Sequence, residues 1–101
     1  MKIITISGSM RFEKEIGILH RRLVQEGHCV LGLAPSDGTG TCTPEEKAFF
    51  IKDHEKKTEL SDAIFVVNIG GYIGESVRYE IEYAKQRGKE IIYLEQGANH
   101  D

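Results

Sequence analysis

Three things are scarce in this sequence: cysteine, surplus basic charge and long apolar runs. The two cysteines, Cys29 and Cys42, lie in different contexts and form no Cys-x-x-Cys pair, so neither a disulfide framework nor a thiol redox motif is expected, and two inert thiols are. His20, His28, Cys29, Cys42 and His54 have no metal-ligand spacing, which argues against a structural zinc site. Thirteen basic residues stand against 16 acidic ones for a net charge of −3, and neither half of the chain has a basic pole. Nucleic acid and anionic membranes are therefore not expected partners. No apolar run approaches the roughly 18 residues of a membrane span. The opening Met1-Lys2-Ile3-Ile4-Thr5-Ile6-Ser7 is too short and too soon polar for a secretory signal, so a cytoplasmic location is expected.

What is present fits one domain over residues 1–101, since a chain of 101 residues has room for a single layered core. Short β-branched runs alternate with longer amphipathic ones, the pattern of βαβ units. Ile3-Ile4-Thr5-Ile6 and Ala63-Ile64-Phe65-Val66-Val67-Asn68-Ile69 read as central strands covered on both faces. His28 to Leu33 and Glu90 to Leu94 supply two more, and residues 95–101 read as a frayed tail. Helices are predicted over Phe12–Glu26, with Phe12, Ile16, Leu19, Leu23 and Val24 at helical spacing, and over Glu75–Arg87. Between them Thr43, Pro44 and Glu46 open a third, to about Leu60, with a capping box. Phe49, Phe50 and Ile51 point around most of its circumference, so either an oligomer contact or a folded-over loop is expected there. Four strands and three right-handed crossovers give a three-layer α/β/α sandwich, flavodoxin- or Rossmann-like, with a parallel sheet in the order 2-1-3-4.

In that topology the order reverses between the first and third strands, and ligands bind at the carboxyl ends there. Two glycine-containing segments should meet at this point: Ser7-Gly8-Ser9-Met10-Arg11, and Asn68 to Ser76 with Gly71 and Gly74. Each leads into a helix N-terminus, which offers free N–H groups to an anion. No Gly-Lys-Ser/Thr follows, so neither is a P-loop. At about 100° per residue, Val77, Ile81 and Ala84 form the buried stripe of the last helix, Glu80 lies roughly 60–70° off its centre, and Glu82 points to solvent. Glu80 can thus reach the cleft as a carboxylate kept ionised by the helix start, which suits a nucleophile; the other reading is an acid placed there for the dipole alone.

Leu60-Ser61-Asp62-Ala63 running into Ile64-Phe65-Val66-Val67-Asn68, a glycine-containing loop, Tyr79-Glu80-Ile81-Glu82-Tyr83-Ala84 and Gly88-Lys89-Glu90-Ile91-Ile92 together resemble the nucleoside 2-deoxyribosyltransferase superfamily. That superfamily includes hydrolases of the N-glycosidic bond of nucleoside 5′-monophosphates. The resemblance implies that Glu80 is the glutamate that attacks the anomeric carbon. It also implies that Gly74 and Ser76 hold phosphate or ribose oxygens, with Gly8, Ser9 and Arg11 on the phosphate side. No cofactor is implied, and the substrate is a small nucleoside or nucleotide.

The chain departs from the pattern at four places. Glu82 replaces a glycine, and Gly70 stands where the transferases have an aspartate. His54 falls near the hydrolases' catalytic aspartate, as either its replacement in catalysis or a packing residue on a face with Phe50 and Ile51, and no tyrosine ends the first strand. Asp62 is expected to cap the turn into the third strand. The expected activity is cleavage or transfer at the N-glycosidic bond; the alternative is a nucleotide-binding module of the same fold that has lost the acid. Members of the superfamily are generally longer and complete one another's sites, so a homodimer is also expected.

Overall fold

The structure, a computed structural model, describes residues 1–35 and 38–96. Four strands, β1 (Ile3–Gly8), β2 (Cys29–Leu31), β3 (Ala63–Val67) and β4 (Glu90–Tyr93), form one parallel sheet in the order β2-β1-β3-β4. The three crossovers carry helices α1 (Glu13–Gln25), α2 (Pro44–Leu60) and α3 (Glu75–Gln86). Fold class and strand order are those expected from the sequence. β1 and β3 pair from Ile4↔Ala63 to Gly8↔Val67, so both reach the carboxyl edge together.

The two faces of the sheet are built differently. On one, Ile4, Ile6, Phe65 and Val67 pack against Ile16, Leu19 and Leu23 of α1. On the other, Ile64 and Val66 of β3 pack against Val77, Ile81 and Ala84 of α3, but the neighbouring β1 positions are Thr5 and Ser7, both fully buried. Over them lies α2, whose buried residues are His54 and Thr58, neither apolar. This seam is held by hydrogen bonds. The Thr5 hydroxyl lies 2.5 Å from Ser61 Oγ, whose own hydroxyl donates to the Lys57 carbonyl at 2.7 Å. Buried polar groups are tolerated because every one is paired, and no buried side-chain N or O among the described residues lacks a partner.

Thr43 caps α2 with Pro44 at the first position, and the reciprocal Glu46 bond completes the expected box at 3.1 and 2.9 Å. Every residue from Pro44 to Asp53 is exposed. Running antiparallel to the strands, α2 has His54 level with Ile6, so at about 1.5 Å per helical residue against about 3.3 Å per strand residue its first turns rise past the carboxyl edge of the sheet. Phe49 is accordingly 70% and Phe50 49% exposed.

Other elements differ from expectation in extent. β2 is an edge strand and stops at Leu31, where its pairing with β1 ends at Thr5. Val24 is exposed, being about 100° around the helix from buried Leu23. Residues Glu95 and Gln96 are ordered parts of the fold, since the Glu95 backbone binds the Asn68 side chain at both ends, N to Oδ1 at 2.8 Å and O to Nδ2 at 3.1 Å. The rest of the expected frayed tail, 97–101, lies outside the described residues. Asp62 accepts the Ile3 N–H at 2.8 Å, fastening β1 to the start of β3.

Gly8 marks where β1, β3 and α1 come closest. A Cβ there would lie 3.0 Å from Val67 Cβ and 3.1 Å from Ile16 Cδ1, and Val67 is fixed on the adjacent strand. Gly8→Ala is expected to destabilise the fold by about 1–2 kcal/mol through overpacking, read as a lower midpoint in chemical denaturation. A midpoint at or above that of the wild type would show that the neighbours yield.

Candidate active site

The polar seam ends at the carboxyl edge in a three-residue cluster. Ser7 is the last fully buried side chain of β1, and its hydroxyl donates to Glu80 Oε1. Glu80 stands in the second turn of α3, on the flank beside Ile81, and Glu82 on the other flank is exposed. From α2, His54 Nε2 approaches the same Oε1 at 3.4 Å and the Ile6 carbonyl at 3.3 Å. A carbonyl only accepts, so Nε2 carries the proton. Thr58 Oγ1 faces the other ring nitrogen, Nδ1, at 3.3 Å.

Exposure assigns different roles to these groups. The Glu80 side chain keeps 21% of its surface in solvent and His54 only 8%, so Glu80 is the group that can meet a ligand while His54 and Ser7 stand behind it. Both partners address Oε1. Among the described residues Oε2 has no partner, and since no buried side-chain polar atom goes unpaired, Oε2 is the oxygen turned to solvent.

Burial pushes the Glu80 carboxyl above the ordinary carboxylate value, against the opposing pull of the His54 charge and the Ser7 hydrogen bond. The direction is opposite to the one the helix start alone would give. The dipole's influence is spent within the first turn, and Glu80 is five residues beyond Glu75, so desolvation prevails. His54 also departs from expectation. It is buried while Phe50 and Ile51 are exposed, so it belongs to the polar seam and not to an apolar face.

The two loops converge as the topology requires. The Arg11 guanidinium sits 3.8 Å from the centroid of the Tyr72 ring, Phe12 meets the same ring edge-on at 6.0 Å, and a Cβ on Gly74 would lie 3.1 Å from the Tyr72 hydroxyl. Gly74 opens α3 with no side-chain cap, leaving the first N–H groups of that helix available. Ser76 is exposed in its first turn.

The remaining residues expected at the site have other engagements. The Ser9 hydroxyl caps a 3-10 turn over Met10–Phe12 by accepting the Arg11 N–H at 3.2 Å. Asn68 is fully buried and committed to Glu95. Gly70 and Gly71 both adopt positive φ, 65° and 79°, which favours glycine at both positions. The Glu95 carboxylate accepts the Gly70 N–H at 3.0 Å. Two grooves of about 340 Å³ lie elsewhere, one lined by Gly71, Ile73, Arg78 and Tyr93 among others, the second by Met10, His20, Gly32 and Leu33 among others; neither includes Ser7, His54 or Glu80. Among the described residues no cluster of three His, Cys, Asp or Glu side chains is placed to hold a metal.

Sequence reasoning missed Thr58 and the bond from Ser7 to Glu80. The signal was available: Thr5 and Ser7 alternate with Ile4 and Ile6 on β1, while His54, Thr58 and Ser61 follow at helical spacing, so a polar strand face matches a polar helix stripe.

No helix among the described residues is long and apolar enough to cross a membrane. No family model matches the chain, and no curated protein matches it. Among solved structures, a conserved protein from Enterococcus faecalis V583 is similar, with a TM-score of 0.63 over 99% of this chain and 70% of that one, at 17% identity. The likeness shows a shared α/β fold and carries no information about a reaction.

Proposed function

We propose that this protein cleaves or transfers at the N-glycosidic bond of nucleosides or nucleoside 5′-monophosphates, as a short relative of the nucleoside 2-deoxyribosyltransferase superfamily. The observation that carries the reading is the Glu80 carboxylate at the switch point, its Oε1 taken by Ser7 and His54 and its Oε2 open to solvent. In this mechanism ionised Oε2 attacks C1′ as the bond from C1′ to the base nitrogen breaks. The electron pair leaves with the base, which takes a proton from water, and a glycosyl ester forms on Glu80. Water, or a second base, then attacks C1′ and releases the carboxylate. A carboxylate under an oxocarbenium-like centre lowers the barrier first by charge and then by covalent capture. Arg11, held against Tyr72, and the uncapped start of α3 supply positive potential for phosphate or sugar oxygens.

A nucleotide-binding module is the second reading. Gly70 in place of the aspartate, and His54 walled behind Glu80, favour it, because neither can protonate a departing base. Incubation with a panel of deoxynucleosides, ribonucleosides, their 5′-monophosphates and NAD decides between the two. Free base is expected from at least one of them, and none after Glu80→Ala; calorimetric binding without release would select the module.

The reading extends to a homodimer, supported by exposed Phe49 and Phe50 on the overhanging part of α2. Light scattering at micromolar concentration should return twice the 11.4 kDa chain mass, and a monomer would remove this part of the reading.

A further inference from the structure

Thr58 takes no part in the chemistry above, yet its side chain is completely buried and faces His54 Nδ1 at 3.3 Å. We propose that Thr58 is a positioning residue acting through His54: it keeps Nδ1 partnered in both protonation states of the ring, so that Nε2 stays bonded to the Ile6 carbonyl and the imidazolium charge stays beside Glu80 Oε1. The link to catalysis rests on the reading of Glu80 as the reacting carboxylate; the hydrogen-bond chain itself requires no substrate.

The Ile6 carbonyl fixes a proton on Nε2. With the ring neutral, Nδ1 is an acceptor and the Thr58 hydroxyl donates to it. With the ring cationic, Nδ1–H donates and the same hydroxyl accepts. Only a group that can do both serves both states. A valine is nearly isosteric with threonine but does neither. It would leave the cation with an unpaired buried N–H, a costly arrangement.

The charged groups around the ring are few. From α3 the facing charge is Glu80, while β1 contributes the Ile6 carbonyl and, through Glu80, the Ser7 hydroxyl. On α2 itself Lys57 is turned to the Asp53 carboxylate at 2.7 Å and to the Gly32 carbonyl at 2.9 Å. The His54 charge is thus felt chiefly by Glu80, and whatever weakens the cation withdraws its support from the carboxylate.

The test is a nuclear magnetic resonance titration of the substrate-free full chain, labelled at histidine nitrogen and glutamate carboxyl carbon, in wild type, Thr58→Val and Thr58→Ser. The neutral His54 ring of the wild type should be the Nε2–H tautomer. Glu80 should titrate higher in Thr58→Val by about half to one pH unit, while Thr58→Ser, which keeps the hydroxyl, should stay with the wild type. An unmoved Glu80 titration in Thr58→Val, or an equal shift in Thr58→Ser, would overturn the proposal. If the valine variant does not fold, Thr58→Ala removes the same hydroxyl and is read in the same way. The titration needs no turnover, so failure of base release would refute the glycosidic reading and leave Thr58 to be decided by the spectra.

Discussion

Glu80→Gln is expected to lower base release by about 10⁴-fold while making the protein more stable at neutral pH. The first effect follows from replacing the anionic carboxylate that forms the glycosyl ester by a weakly nucleophilic amide; loss of a nucleophile commonly costs several powers of ten because the other groups cannot act alone. The second follows from the direction in which burial moves the carboxyl. A carboxyl with a higher value in the folded than in the unfolded chain binds its proton more tightly when folded. Its favourable contribution is therefore complete below the unfolded value near 4.5 and is lost as pH rises through the folded one. At neutral pH the ionised Glu80 works against the fold. Glutamine keeps an acceptor for Ser7 and His54 without the charge, so its melting temperature should exceed that of the wild type by a few degrees at pH 7, with the gap closing in acid. An inactive variant melting lower at pH 7 would contradict the account of the site as a desolvated carboxylate.

His54→Leu is the second large effect. Leucine fills most of the volume but removes the imidazole whose Nε2 lies 3.4 Å from Glu80 Oε1 and the charge that holds the carboxyl down. Base release at neutral pH should fall by about ten- to a hundredfold, as expected when a reacting group loses its orientation. The pH profile carries the sharper signature. Turnover needs ionised Glu80, so the rate declines as pH drops through its value. Without His54 that value rises, and the acid limb must move to higher pH. A limb that stays in place, or moves down, would mean that His54 does not act on Glu80.

Legibility in the sequence followed the strength of each periodicity. The buried runs at Ile3 and Ala63, the stripes of α1 and α3 and the Thr43-Pro44-Glu46 start each follow from one local pattern, and together they determine strand order and switch point. The position of Glu80 on the flank of α3 came from the same arithmetic. Two things did not. The short β2 depends on having a partner along one edge only, and the ordered Glu95 depends on the Asn68 side chain, 27 residues away in sequence.

The contact between Ser7, His54 and Glu80 required reading three elements together. β1 resembles an all-apolar strand when its isoleucines are counted, and α2 resembles a poorly specified helix because its apolar residues lie on no single face. Each is explained by the other: Thr5 and Ser7 meet His54, Thr58 and Ser61 across one polar seam. A central strand with alternate hydroxyls, and a helix with a matching hydroxyl and imidazole stripe, is a pairing that local periodicity hides. Phe49 and Phe50 are not core residues because they stand at and beyond the end of the sheet, where nothing among the described residues covers that part of α2.

The most direct test of the central claim is the mass of the protein quenched in acid during reaction with a nucleoside or nucleotide from which it releases base. An added glycosyl group, one per chain, is expected on the peptide containing Glu80 and is expected to be absent from Glu80→Gln. Base release by a protein whose Glu80 peptide stays unmodified while another residue carries the sugar, or no release from any member of the panel, would contradict it.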